Sequence, residues 1–232
     1  RRTAAGAIEL TFRRGASTLV RTHDYVVLAI PFTVLRGVDL DPNLGIPADQ
    51  RTAINALGYG TNAKMMVGFT ARPWAAQGSN GTAYVELPNV QTTWETNPTR
   101  AAAGRAILTD YSGGARGASL NPAAVQTEAS RFLADLNRVF PGAAADARRT
   151  AGGQIVAHLE HWPSNPLTLG SYTCYLPGQF TSIAGLEGKP VENLLFAGEH
   201  ANAFDEAQGF MEGAALSGIQ AAADVLAALK RT

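Results

Sequence analysis

The sequence predicts an α/β fold, and three observations carry that prediction. Short apolar runs closed by Gly or Pro recur along the chain, as strands do. An amphipathic stretch near the middle has helical period. Near the end, a short strand runs into a glycine and an acid, then a polar loop, then a long Ala-rich helix.

Residues 7–12 and 17–20 read as two strands around a turn at Gly15. Residues 23–31 hold a β-branched apolar run closed by Pro31, the pattern of a strand buried on both faces. Residues 47–57 have helical spacing, with Pro47 at the first turn and Gly58 as a stop. Strands follow over 64–70, 82–87, 106–111 and 155–162. Between the last two, Asn121-Pro122 opens a helix whose one face holds Val125, Ala129, Phe132, Leu133, Leu136 and Val139. Pro141-Gly142 ends it. Residues 194–200 form the final strand and its Gly-acid turn, and residues 209–230 the last helix. Gly213 and Gly218 within it each cost up to ~1 kcal/mol relative to Ala, so something should pack close against them.

The bulk numbers set limits. A chain of 232 residues with 46% hydrophobic content supports one large domain or two small ones. Lys plus Arg equals Asp plus Glu at 19 each, which argues against nucleic acid or an anionic membrane as the main partner. The longest apolar run, residues 25–35, falls far short of the ~20 residues a membrane-spanning helix needs. Cys174, the single cysteine, excludes an intrachain disulfide framework and a multi-Cys metal site, and is expected as a buried, inert thiol. The four histidines lack ligand spacing, so no metal is expected. The chain begins Arg1-Arg2-Thr3 without Met and shows no signal-peptide pattern. It is expected to be a fragment or a processed product. A composition rich in Ala, Gly and Arg is associated with GC-rich bacteria, so a soluble bacterial protein, cytoplasmic or exported, is expected.

The last segment carries the strongest chemistry. Gly198 permits a close backbone approach to a ligand, and Glu199 can accept hydrogen bonds from sugar hydroxyls. The N–H groups near Phe210 and Met211 head a long helix whose dipole favours negative charge. By itself this stretch is equally an ordinary surface helix. Gly58-Tyr59-Gly60-Thr61-Asn62-Ala63 matches a G-x-G-x-x-A dinucleotide motif in letters only. It follows a helix, and the required strand-turn-helix context fails.

Residues 195–200 and 208–222, with Gln208-Gly209-Phe210-Met211-Glu212-Gly213, resemble the C-terminal FAD-binding motif of the flavin amine oxidases. That family includes monoamine, polyamine and L-amino-acid oxidases. Three further segments resemble it in the same order: residues 25–35; Gly60-Thr61-Asn62-Ala63-Lys64 with Ala71-Arg72-Pro73-Trp74; and His161-Trp162-Pro163 through Ser171-Tyr172 to Gln179. The resemblance implies a Rossmann-like FAD domain, 1–31 with 190–232, and a substrate domain with a mixed sheet, 32–189. It implies FAD contacts from Trp162, Gly198, Glu199, Gln208, Gly209, Phe210 and Met211. Lys64 would hold a water against the flavin, with its charged form disfavoured by desolvation. Tyr172 and Phe210 would form an aromatic cage around the substrate amine. Trp94 and Glu95 fall where relatives place substrate contacts. Ser171 stands where animal monoamine oxidases attach FAD through a cysteine, so FAD is expected to be non-covalent.

The family's first dinucleotide-binding unit is missing, so an N-terminal fragment or subunit carrying the Gly-rich turn is an expected partner, as is assembly into an oligomer. The activity implied is oxidation of an L-amino acid by O2 to keto acid, ammonia and hydrogen peroxide. Monoamine or polyamine oxidation is the enzyme alternative. A desaturase-type relative and a non-catalytic flavoprotein-like module are the others.

Overall fold

In chain order, the computed structural model, which describes residues 1–97, 104–202 and 207–230, opens with a hairpin of β1 (Ile8–Arg14) and β2 (Ser17–His23). Strand β3 (Val26–Leu28), α1 (Phe32–Leu35) and α2 (Ala48–Ala56) follow. Next come β4 (Ala63–Phe69), β5 (Ala83–Leu87), β6 (Val90–Glu95), β7 (Ala106–Ser112), α3 (Gly114–Ser119), α4 (Val125–Val139), α5 (Ala143–Asp146) and β8 (Ala157–His161). The chain ends through α6 (Gln179–Ser182), β9 (Leu194–Phe196) and α7 (Met211–Leu229). Packing divides these elements into two units, Arg1–Tyr59 with Pro166–Thr232, and Gly60–Asn165. Segments 32–59 and 166–189, assigned from sequence to the substrate domain, pack inside the first unit.

In the first unit β3 runs parallel to β9, with Val26 opposite Leu194 and Leu28 opposite Phe196. The side chains of β9 alternate between two cores. Leu194 and Phe196 join Ile8, Phe32, Leu35 and Ile54, while Leu195 and Ala197 pack with Ala221 of α7. The strand buried on both faces is therefore β9. The same expectation for residues 23–31 is not met, since Val27 is 43% exposed. Strand β3 has one partner strand among the described residues, and its outward side chain, Val27, stays partly open. Helix α7 buries Gly213, Ser217 and Ala221 on one stripe and leaves Ile219, Leu226 and Leu229 exposed. A Cβ at Gly213 would meet the carbonyl oxygen of Ala207 at 2.1 Å, so the close packing expected there is present. At Gly218 it is absent, with no atom within 4 Å.

The second unit is a five-stranded sheet in the order β5-β6-β7-β4-β8. Every pairing is antiparallel, where a mixed sheet was expected. The reason lies in the order. Strands β7 and β8 run the same way, joined by the helical crossover through α4, but β4 lies between them and pairs with both. Helix α4 lays Ala129, Phe132, Leu133 and Leu136 on one face of the sheet, against Met65, Val67, Phe69 and Leu108. Asn121 starts the segment by accepting from the Ala123 N–H at 3.0 Å. On β4 the alternation sends Ala63, Met65 and Val67 to this core and Lys64 and Met66 to the opposite face. The segment matching G-x-G-x-x-A runs from α2 into β4, the reverse of a dinucleotide-binding turn. No helix among the described residues is long and apolar enough to cross a membrane.

Phe132 has no exposed surface, so Phe132→Ala should destabilise the second unit by about 3–5 kcal/mol. A urea titration followed by tryptophan fluorescence would show it; a loss well under 1 kcal/mol would mean α4 is not the second unit's main core element.

Candidate cofactor and substrate site

Strand β9 ends at Ala197, and Gly198 turns the chain with φ 123° and ψ 167°, a conformation open to glycine alone. A side chain would find no room either, because a Cβ there would lie 2.5 Å from Cε1 of His200. Ser217 of α7 ties down this turn. Its Oγ accepts from the Gly198 N–H at 2.9 Å and lies 3.0 Å from the Gly198 carbonyl and 2.8 Å from that of Ala214.

Glu199 comes next, and its carboxylate gathers two distant segments. Oε1 accepts from the Thr173 N–H at 3.1 Å. Oε2 accepts from the Thr173 hydroxyl at 2.5 Å and from the Gly209 N–H at 2.9 Å. Two oxygens offer about four acceptor sites, so some capacity remains for a ligand hydroxyl. The turn before α7 is closed by the Phe210 N–H donating to the Ala207 carbonyl at 3.1 Å. Phe210 then caps α7 in extended conformation, with no side chain accepting from the helix amides. Among the described residues no side-chain acceptor caps the first-turn N–H groups, where the helix dipole favours an anion or a polarised carbonyl. Phe210 and Met211 are 65% and 91% exposed, and Tyr172 is 41% exposed. Tyr172 lies against Gly209, where a Cβ would stand 3.7 Å from its ring. The first unit thus brings together Tyr172, Gly198, Glu199, Gln208, Gly209, Phe210 and Met211.

The other named residues lie in the second unit. The ammonium of Lys64 sits 5.8 Å from the centre of the Tyr111 ring, and Tyr111 meets Trp94 at 5.9 Å. All three are partly buried on the face opposite α4. Trp162 begins the short 3-10 turn after β8 and is partly buried. Glu95 points the other way. Arg72 donates to Oε1 from 2.8 Å and Trp74 Nε1 to Oε2 from 3.2 Å, so this carboxylate is committed to the core. Its one-residue offset from Trp94 places it on the opposite face of the sheet.

Sequence reasoning also misjudged Cys174, which is exposed rather than buried. Its segment is extended and follows the Thr173–Tyr59 bridge, so the thiol leans away from the side chains that Glu199 collects. Two residues were missed altogether. Tyr175 donates to Glu187 at 2.6 Å, and Gln208 donates to the Tyr175 hydroxyl at 3.2 Å. Glu187 is fully buried. Its setting, Leu186-Glu187-Gly188-Lys189, carries no signal by which sequence could have found it.

A family model described as flavin containing amine oxidoreductase matches residues 2–226. The chain belongs to this family. Amine oxidases of this kind are flavoproteins, and FAD is the cofactor. Polyamine oxidase 4 of Oryza sativa is 29% identical over 216 residues, covering 86% of this chain and 38% of the relative. A putative L-amino-acid oxidase of Bacillus subtilis is 26% identical over 206 residues, covering 88% and 41%. Cyclohexylamine oxidase from Brevibacterium oxydans shares the amine-oxidase fold with a TM-score of 0.74 at 22% identity, over 96% of this chain and 46% of that one. The chain therefore spans about two fifths of these curated relatives and about half of the solved enzyme. The residues present fit a flavin. Glu199 keeps acceptor capacity for a ligand hydroxyl, the first α7 amides have no side-chain cap among the described residues, and Ser171 offers no thiol, which is consistent with non-covalent FAD.

His200 packs its ring on Phe32 at 4.4 Å and is 2% exposed. Burial pushes its pKa down to about 4 from the ordinary 6.5. The unfolded chain takes up a proton below pH 6.5 that the fold refuses until about pH 4. Stability should therefore fall by about 3 kcal/mol as pH drops through that window. Comparing urea midpoints of the parent and His200→Gln from pH 7 to 4 isolates this share. Parallel pH curves for the two proteins would contradict it.

Proposed function

We propose that this chain, joined to the portion its relatives carry beyond it, forms an enzyme that oxidises a carbon–nitrogen bond. The substrate in the first reading is an L-amino acid, giving keto acid and ammonia. When bound, FAD accepts two electrons from the substrate and passes them to O2, giving hydrogen peroxide. The first unit serves as the C-terminal share of the FAD domain and the second as the substrate domain.

The observation that carries this reading is the uncapped start of α7 with the exposed rings of Phe210 and Tyr172 beside it. The rings present flat, electron-rich faces that orient a neutral amine, and the α7 amides stabilise negative charge on the ring system they face. Glu199 fixes the turn that holds them. Lys64, on the non-core face of β4, has the proposed task of holding a water and moving its proton. Trp94 and Tyr111 share that face and would shape the substrate slot. A second reading, polyamine oxidation, is favoured by the rice relative having the higher identity.

A peroxide assay on the enzyme with its co-purifying N-terminal portion, across L-amino acids, monoamines and polyamines, tests the reading. Peroxide from amino acids alone supports the first reading, and peroxide from polyamines the second. Flavin bound without peroxide from any of them would refute both. Lys64→Met should slow turnover about 100-fold or more while the urea midpoint stays put. Unchanged turnover would remove the lysine from the mechanism.

A further inference from the structure

Glu187 is the least expected buried group in the first unit. It has no exposed surface, yet its two oxygens accept from uncharged donors, the Tyr175 hydroxyl at 2.6 Å and the Gly185 N–H at 2.8 Å. Burying a carboxylate is costly, and such groups are retained where their hydrogen bonds fix something. Here the bonds lead outward. The Tyr175 hydroxyl, having given its proton to Glu187, accepts from the Gln208 amide at 3.2 Å. Gln208 stands in the turn that sets Phe210 and the first amides of α7.

We infer that Tyr175 and Glu187 are positioning residues for the start of α7, acting through Gln208. Thr173 and Tyr175 are two apart in an extended segment, so their side chains leave it on the same side. Both reach the same turn. Thr173 does so through Glu199 to the Gly209 N–H, and Tyr175 through the Gln208 side chain. Two consecutive residues of the turn are thus linked to one segment, Gln208 directly to the Tyr175 hydroxyl that Glu187 holds and Gly209 through Glu199 to Thr173. One tether would let the turn pivot about it. Two set its direction, and with it the aim of Phe210 and of the uncapped amides. Tyr172 belongs to that segment, so its ring and that of Phe210 are registered to each other by the same pair of links.

The functional half of this inference rests on the proposed flavin role of the α7 start; the structural half does not. The amides of Gly209, Phe210 and Ala214 donate to Glu199, Ala207 and Phe210 and report the turn directly. Tyr175→Phe should speed hydrogen exchange at these amides about five- to tenfold, the loss of the one hydrogen bond that links the hydroxyl to the turn. Amides of β1 and β2 should keep their rates. Gln208→Leu should give the same acceleration, and the double variant no more than either. In the flavin-loaded enzyme Tyr175→Phe should also move the visible flavin absorption band and lower kcat more than it raises KM. Exchange unchanged at those three amides, equal acceleration in β1 and β2, or additive effects in the double variant would each overturn the relay. The expected acceleration at those amides with an unmoved flavin band would refute its effect on the cofactor while leaving the tether in place. Absence of flavin binding would refute the proposed function and not the exchange result.

Discussion

The candidate site depends on the carboxylate of Glu199. Three donors converge on it, two from Thr173 and one from Gly209, and they belong to segments that enter from different parts of the chain. A hydrogen bond to a charged acceptor contributes about 1.5–3 kcal/mol, more than a neutral one. That strength matters at the start of α7. Phe210 and Met211 contribute scant burial, so their placement comes from the polar links behind them. Glu199 itself is placed by Gly198, whose backbone is pinned on both its N–H and its carbonyl side by Ser217.

Burial differs sharply between the two ends of this site. Strand β9 is buried on both faces and His200 is buried, while Phe210 and Met211 at the start of α7 are exposed. A stiff scaffold thus delivers an open working surface within a few residues, an arrangement suited to a cofactor that must lie against backbone. In the second unit plain strand alternation does the equivalent work. It gives Lys64, Tyr111 and Trp94 to one face while α4 claims the other.

Sequence showed a good part of this and hid the rest for identifiable reasons. Helix α4 was legible because its apolar period and Asn121-Pro122 start are local signals, and the hairpin because Gly15 punctuates two strands. The cluster at Gly198, Glu199 and Gly209–Met211 was legible because a motif spells it out. Strand order was not, since pairing β4 between β7 and β8 is a long-range choice that no window contains. Glu95 was misjudged because its fate depends on Arg72, which lies twenty-three positions earlier and crosses the sheet to meet it. Cys174 was misjudged because thiols are buried on average, and here the extended backbone decided otherwise. Glu187 lay in no pattern, and only its partner Tyr175 reveals what it does.

The division of the first unit has a temporal consequence. Its central parallel pair joins Val26 to Leu194, and between them the chain makes the whole excursion through the second unit. The second unit's contacts lie within one continuous stretch, so it can collapse as soon as that stretch exists. The first cannot register β3 against β9 until the excursion is complete, and closing so long a loop carries an entropic cost that a folded insert reduces by bringing its ends to fixed positions. During synthesis, β3 therefore waits, with Val26 and Leu28 uncovered, until β9 emerges.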